Sequence, residues 1–292
     1  MGFSARPLNF LAISKTQPIP LPQRPDNRIR FIYRKHYLRH RLRRATAGKT
    51  SKNKNMKKLL FAVLSFAVVS AHAQSADEVI QKFSANMGGL EAFNKITSAK
   101  MTGTYSTQGN DLSLTVQIIN GKAMRTDVEV MGQAVTNVYY NGKGWKINPF
   151  AGATAATEVT GSELSDFKGQ ASLSSQLMDY KARGHQVELQ GEETVEGIKA
   201  FKIKLTNKED GKVTTYFISS ADYTLIKSVT SRSIQGQDMD VESFYSNLKE
   251  FGGIKFFMTR DSKIEGQTFQ TVTYEKIELN VTIDEKIFAM PK

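Results

Sequence analysis

The stretch that decides the fold is "DLSLTVQIINGKAMRTDVEVMGQAVTNVYYNGKGW", residues 111–145. Apolar and polar side chains alternate in it with the period of two that is typical of a strand with one buried face. Asn120-Gly121 and Asn141-Gly142 separate the alternating runs, and Asn-Gly is the strongest short hairpin signal. The stretch therefore predicts consecutive antiparallel strands whose apolar face carries Leu112, Leu114, Val116, Ile118, Met124, Val128 and Val130.

The same pattern extends in both directions. Residues 98–140 and 185–281 contain about eleven runs rich in Val, Ile, Thr and Tyr, separated by turn residues. Helical segments interrupt them at 75–96, where Ser75 and Glu78 form a capping box, and at 160–179. We predict a mainly β protein with some α, an open antiparallel half-barrel covered by helices, with a two-sheet sandwich as the alternative fold.

Residues 56–73 have the three parts of a secretory signal peptide. Lys57 and Lys58 precede an apolar run, and "SAHA" before Gln74 supplies a cleavage site after Ala73. The apolar run is shorter than the roughly 20 residues that a membrane helix needs. We therefore expect residues 1–55 to be a disordered or mis-annotated upstream extension, and residues 74–292 to form the exported domain.

The charge of the chain depends on this division. The whole sequence has a formal net charge of +12, which would suggest a nucleic-acid partner. However, 16 of the 40 basic residues and only one of the 28 acidic residues lie in 1–73, so residues 74–292 carry a net charge of −3. The predicted domain gives no signal for nucleic acid, and the absence of cysteine rules out disulfides.

The sequence gives little support for catalysis. Residues 74–292 contain one histidine, His185, which we expect to be a turn or surface residue without a catalytic partner. No nucleophile elbow, zinc-binding or phosphate-loop motif is present. We therefore expect no catalytic residue, metal site or cofactor, and an enzyme with an unrecognised site is the weakest of the alternatives.

Several segments together resemble a known family. Taken in order, "NMGGLEAFNKITSAKMTGTY", "GKAMRTDVEV", "VYYNGKGWKINPF", "LMDYKARGHQVELQGEETVEGIKAFKIKL", "DGKVTTYFIS", "GIKFFMTRD" and "IDEKIFAMP" are similar to the outer-membrane lipoprotein-sorting proteins, the LolA/LolB-like periplasmic carriers of Bacteroidota type. The resemblance covers nearly all of residues 75–292. It departs from the classical carriers in the Gly-Gly pair after the first helix and in the "NGKGW" hairpin.

The resemblance implies a cavity that takes acyl chains between a half-barrel and a helical lid. Arg125 matches an arginine of the family's early strands that helps to hold the lid closed. The predicted lid residues are Val79, Phe83, Leu164 and Phe167. The predicted lipid-binding residues are Leu112, Leu114, Val116, Ile118, Met124, Val128, Val130, Tyr140, Trp145, Phe201, Ile203 and Tyr216.

The resemblance further implies a soluble, monomeric periplasmic carrier that moves lipoprotein acyl chains or lipid to the outer membrane. Its expected partners are an inner-membrane release complex and an outer-membrane acceptor. The alternative function is a periplasmic binding or sensor module that recognises a protein or a glycan on the same sheet. A fold alone does not decide between these functions, because one fold hosts several tasks.

Overall fold

The computed structural model describes residues 74–234 and 237–291, and these form one antiparallel sheet of thirteen strands. The predicted upstream extension (1–55) and signal peptide (56–73) lie outside the described residues. Within the described part of the chain, no helix is long and apolar enough to cross a membrane.

The first six strands form one half of the sheet, the first wing, in which each strand pairs with the next along the chain. Both Asn-Gly pairs lie in hairpin turns, as the sequence predicts: Asn141-Gly142 is a two-residue turn, and Asn120-Gly121 begins the three-residue turn 120–122. Gly121 and Gly142 adopt positive φ. The strands of the first wing are β1 (Ser98–Thr107), β2 (Asn110–Ile119), β3 (Ala123–Val130), β4 (Gln133–Tyr140), β5 (Lys143–Asn148) and β6 (Ala153–Val159).

The remaining seven strands form the second wing, also with neighbours in chain order. Because β6 and β7 are the two ends of the strand order, the sheet is open. The strands of the second wing are β7 (Gln186–Val195), β8 (Ile198–Thr206), β9 (Val213–Ser219), β10 (Leu225–Ile234), β11 (Gln237–Phe251), β12 (Ile254–Ile264) and β13 (Gln267–Leu279).

A single strand pair, β1 with β13, joins the two wings. The register of this seam shifts between Thr102 and Gly103. A Cβ atom at Gly103 would lie 2.0 Å from the carbonyl oxygen of Thr273, so only glycine fits at this close approach.

In the described residues, four α-helices accompany the sheet: α1 (Ala76–Asn86), α2 (Leu90–Lys95), α3 (Gly161–Gln170) and α4 (Tyr180–Arg183). Ser75 caps α1, since its hydroxyl accepts a 3.2 Å hydrogen bond from the Glu78 amide, as the capping box predicts. Two short 3-10 helices are present at Pro149–Ala151 and Glu285–Phe288.

The helices divide between the two faces of the sheet. We call the face that carries Leu114, Val116 and Ile118 the inner face and the opposite one the outer face. On the inner face, α1 and α2 pack on the second wing through a cluster that includes Phe83 and Phe93. On the outer face, the helix Glu285–Phe288 packs on the first wing.

The predicted fold class, a mainly β, open antiparallel sheet with helices, is confirmed. The alternative of a two-sheet sandwich is wrong, because all strands of the described residues belong to one sheet. The part of the chain that the structure describes has thirteen strands and not the predicted eleven. The two additional strands are β5 and β6, whose sequences "KGWKIN" and "ATAATEV" are too short or too rich in small residues to show clear alternation.

Candidate functional site

The inner face encloses a cavity of about 1160 Å3. Strands of both wings form its floor, and α3 with the segment after it forms part of its wall. The cavity exists because α1 and α2 cover only the second wing, whereas the inner face of the first wing meets α3 through a few side chains such as Leu164 and Phe167.

The structure places eight of the twelve predicted lipid-binding residues around this cavity. They belong to the neighbouring strands β2 and β3 of the first wing and to β9 of the second wing. Strand alternation puts them all on the inner face. These residues are Leu112, Leu114, Val116, Ile118, Met124, Val128, Val130 and Tyr216. Their contact with a lipid stays a prediction.

Exposure increases in one direction along the cavity. On β2, Ile118 and Val116 are buried, whereas Leu112 is half-buried. Beyond Leu112, two large apolar side chains of the lining are exposed to solvent: Met131 (94 %) and Phe150 (53 %). The cavity therefore has a dry inner end near Ile118 and a mouth near Met131, and the mouth presents apolar groups to the outside.

Ion pairs hold α3 over the cavity from both wings. Lys146 of β5 binds Glu163 at 2.7 Å, and Lys212, next to β9, binds Asp166 at 2.6 Å. The predicted lid residue Phe167 of α3 is buried and lines the cavity. These contacts make α3 the element that bridges the two wings at the cavity.

Asn120, which the sequence marks only as a turn residue, connects three segments. Its side-chain amide donates to the carbonyl oxygens of Phe93 (3.0 Å) and Ile96 (2.8 Å), and its Oδ1 accepts from the amide of Leu173 (3.0 Å). The turn between β2 and β3 is thereby tied to the end of α2 and to the chain that follows α3. Only the three-dimensional structure reveals this role, because an Asn-Gly pair already has a local explanation.

Tyr140 and Trp145 lie outside the cavity, which corrects their predicted place in it. Both are on the outer face, in the cluster covered by the C-terminal helix Glu285–Phe288. The Trp145 indole donates to the carbonyl oxygen of Phe288 at 2.9 Å, and the Tyr140 hydroxyl donates to the Glu285 carboxylate at 2.6 Å. These two aromatic residues hold the C-terminal helix on the outer face and do not line the cavity.

Phe201 and Ile203 also do not line the cavity, although they are on the inner face. They are buried in the cluster beneath α1, together with the predicted lid residues Val79 and Phe83. The helix α1 fills the space that a ligand would need there. Sequence periodicity identifies the face of a strand but not which part of that face a helix covers.

Arg125 does not hold α1 or α3, which corrects its predicted position. It alternates with Met124, so it lies on the outer face. Its guanidinium donates to both carboxylate oxygens of Asp127 (2.7 and 3.0 Å) and to the carbonyl oxygen of Ile287 (2.7 Å). Arg125 thus contacts the C-terminal helix, on the side of the sheet away from the cavity.

The sequence pattern did not identify Arg260 as a polar residue of the cavity. Arg260 of β12 lines the cavity with Tyr105, Tyr245, Tyr274 and Gln270. Burial raises the pKa of Tyr105 and of Tyr274, and the positive charge of Arg260 opposes the rise at both. In the segment "FFMTRDSKI" the arginine takes the place of an apolar residue on the inner face. This break in the alternation is the sequence signal that could have identified Arg260 as a cavity residue.

His185 directly follows the turn at Gly184, which agrees with the expected turn position, but it is buried and is not a surface residue. It directly precedes β7, and its Nδ1 accepts from the amide of Lys208 at 3.2 Å. Burial lowers the pKa of its imidazole, with the charge of Arg183 as the next cause. The described residues contain no group of three His, Cys, Asp or Glu side chains that could hold a metal ion.

Comparison of the sequence with protein-family models and with curated proteins gives no match. Among solved structures, a LolA superfamily protein from Nitrosomonas europaea superposes with a TM-score of 0.50 at 12 % identity, over 74 % of this chain and 97 % of that chain. An outer membrane lipoprotein-sorting protein domain from Vibrio parahaemolyticus superposes with a TM-score of 0.49 at 12 % identity, over 73 % of this chain and 95 % of that chain. The open sheet of thirteen strands in the described residues, with α1, α2 and α3 on its inner face, has the LolA-like fold.

Proposed function

We propose that this protein is a carrier that binds the acyl chains of lipoproteins or lipids in the inner-face cavity. The observation that carries the proposal is the cavity itself, in which a buried aliphatic floor leads to a mouth with exposed Met131 and Phe150. A protein or glycan module would instead be expected to present a polar or aromatic surface outside the sheet. The LolA-like fold supports the same function by analogy.

Size and energy are compatible with an acyl guest. The cavity volume of about 1160 Å3 is slightly larger than the roughly 300–1,000 Å3 that is usual for small-molecule pockets. Transfer of an acyl chain from water gains about 0.8 kcal/mol per CH2 group, or on the order of 10 kcal/mol for one long chain before the costs of binding. The aliphatic floor thus supplies enough driving force without any specific polar contact.

A carrier must also release its guest, and α3 is the element that we propose to move. Its ion pairs with Lys146 and Lys212 are partly exposed to solvent. Exposed pairs of this kind contribute typically about 0.2–1 kcal/mol each. Breaking these two ion pairs therefore costs little. The main cost of moving α3 is exposure of the buried Phe167, and a lid that exchanges protein contacts for lipid contacts offsets this cost when the acyl chain takes the place of the protein contacts.

We propose a monomeric periplasmic protein that receives its cargo from an inner-membrane release complex and passes it to an outer-membrane acceptor. The signal-like residues 56–73 and the resemblance to lipoprotein-sorting proteins support this.

Native mass spectrometry of the protein purified from its own cells tests the function. We expect additional mass that matches one or more acyl species, and loss of this mass after extraction with organic solvent. The extracted protein should regain it on addition of a fatty acid. A clean apo mass, together with no uptake of added lipid, would favour the protein- or glycan-binding module.

N-terminal sequencing of the same material tests export. We expect the protein to begin near Gln74, because "SAHA" precedes it as a cleavage site. Material that still carries residues 1–55 would contradict export by this signal. The functional protein would then include the strongly basic residues 1–55.

A further inference from the structure

Among the described residues, Arg260 is a cavity cation without a hydrogen-bond or ion-pair partner, on a strand whose preceding inner-face residues, Phe256 and Met258, are apolar. Its Nε atom is buried without a hydrogen-bond acceptor, and no ion pair among the described residues includes it. The other cavity cations are accounted for: Lys212 is paired with Asp166, and Arg232 is exposed at the surface. Since Asp166 is the only carboxylate among the described lining residues, the cavity carries a net positive charge.

An unpaired guanidinium in a partly buried site is costly unless an anion compensates it. Arginine binds carboxylate and phosphate groups through two parallel hydrogen bonds, and these charge-assisted bonds are about twice as strong as neutral ones. The hydroxyl of Tyr245, opposite Arg260 on β11, and the amide of Gln270 supply further hydrogen-bonding groups nearby. The cluster thus has the composition of a site for an anionic head group.

The strand register places this cluster at one definite level of the cavity. Leu112 faces Tyr105, Tyr105 faces Val272, and Val272 faces Arg260 across successive strands. The level of Arg260 is therefore that of Leu112, toward the mouth. Val116, which faces Met101, lies four residues further along β2 toward the dry end.

We propose that the cavity selects acyl lipids with an anionic head, a carboxylate or a phosphate, and that Arg260 binds this head while the chain extends toward Val116 and Ile118. The inference rests on the proposed function and names its ligand class. It also orients the ligand, because the head lies at the mouth side and the chain fills the aliphatic end. A lipid without charge would leave the guanidinium uncompensated.

Displacement of a fluorescent fatty-acid probe by three ligands of equal chain length tests the proposal. Palmitate offers a carboxylate, hexadecyl phosphate offers a phosphate, and hexadecanol is neutral. A charge-assisted hydrogen bond corresponds to roughly a tenfold to hundredfold change in affinity. We expect the wild-type protein to bind at least one of the two anions about tenfold or more tightly than hexadecanol, and the stronger of them identifies the head group.

The variant Arg260→Gln should lose this preference and bind all three ligands with similar affinity. Lys100→Gln, which removes one positive charge from an exposed position on the outer face, should keep it. Equal binding of all three ligands by the wild type, or a preference that persists in Arg260→Gln, would overturn the assignment of Arg260 but leave the acyl carrier intact. If no ligand bound at all, the proposed function would fail as well.

Discussion

Replacing Val116 with glutamate should abolish acyl binding while the protein stays folded. Val116 is buried on the floor of the cavity, in the cluster that also contains Phe167 of α3, the helix that we propose to move. Water can hydrate a carboxylate there in the empty state, but an acyl chain would displace that water and leave the charge unpaired. We expect the affinity for a fluorescent fatty-acid probe to fall by at least about tenfold, since an unpaired charge costs several kcal/mol.

The control for this variant is Gln117→Glu. Gln117 neighbours Val116 on β2 but points to the outer face, where it lies opposite Arg125. The Gln117→Glu substitution adds the same charge to the same strand. It should change neither the melting temperature nor the binding of the probe appreciably. An unfolded Val116→Glu protein would identify Val116 as a packing residue, and a folded variant with undiminished binding would remove β2 from the ligand site.

Replacing Gly88 with alanine should strongly destabilise the protein. Gly88 follows α1 with a φ of +108°, and a Cβ atom there would lie 2.3 Å from the carbonyl oxygen of Gly253. This approach allows the Lys255 amide to donate to the carbonyl oxygen of Met87 at 2.9 Å. Backbone strain and overpacking each cost about 1–3 kcal/mol, so we expect the free energy of unfolding to fall by about 3 kcal/mol or more.

Gly89→Ala is the matched control. Gly89 also has a positive φ, +87°, but a Cβ atom there meets no neighbour within 4 Å. Only the conformational penalty of about 1–3 kcal/mol applies, without the cost of overpacking, so the loss should be smaller than for Gly88→Ala. Urea denaturation of both variants measures the difference, and equal losses would show that the close approach to Gly253 does not matter for stability.

The fold was predictable because its signals are local. Alternation and Asn-Gly turns specify antiparallel hairpins, and the capping box at Ser75 specifies where α1 begins. The strands β5 and β6 were missed because Gly144 and the alanines of "ATAATEV" weaken the period of two. Their strand structure depends on pairing of β5 with β4 and of β6 with β5, which is a tertiary effect.

The candidate site was only partly predictable, because strand alternation fixes a face but not its cover. It placed Leu112 and Val116 on the same side correctly. The same rule puts Arg125 and Met124 on opposite faces of β3, and Tyr139 and Tyr140 on opposite faces of β4. Residues from both faces of the sheet could not all line one cavity. Whether an inner-face residue such as Ile203 meets a helix or a ligand depends on where α1 packs, and no local pattern encodes that.

The seam between β1 and β13 has a consequence for the kinetics of folding. β1 ends at Thr107 and its partner begins at Gln267, so the two strands meet only after nearly the whole chain has been synthesised. Until then, β1 presents an unpaired edge that invites intermolecular pairing and aggregation. Contacts of such large sequence separation slow folding. We therefore expect the wings to form first as independent hairpin arrays, with the β1–β13 pairing as the late, rate-limiting event.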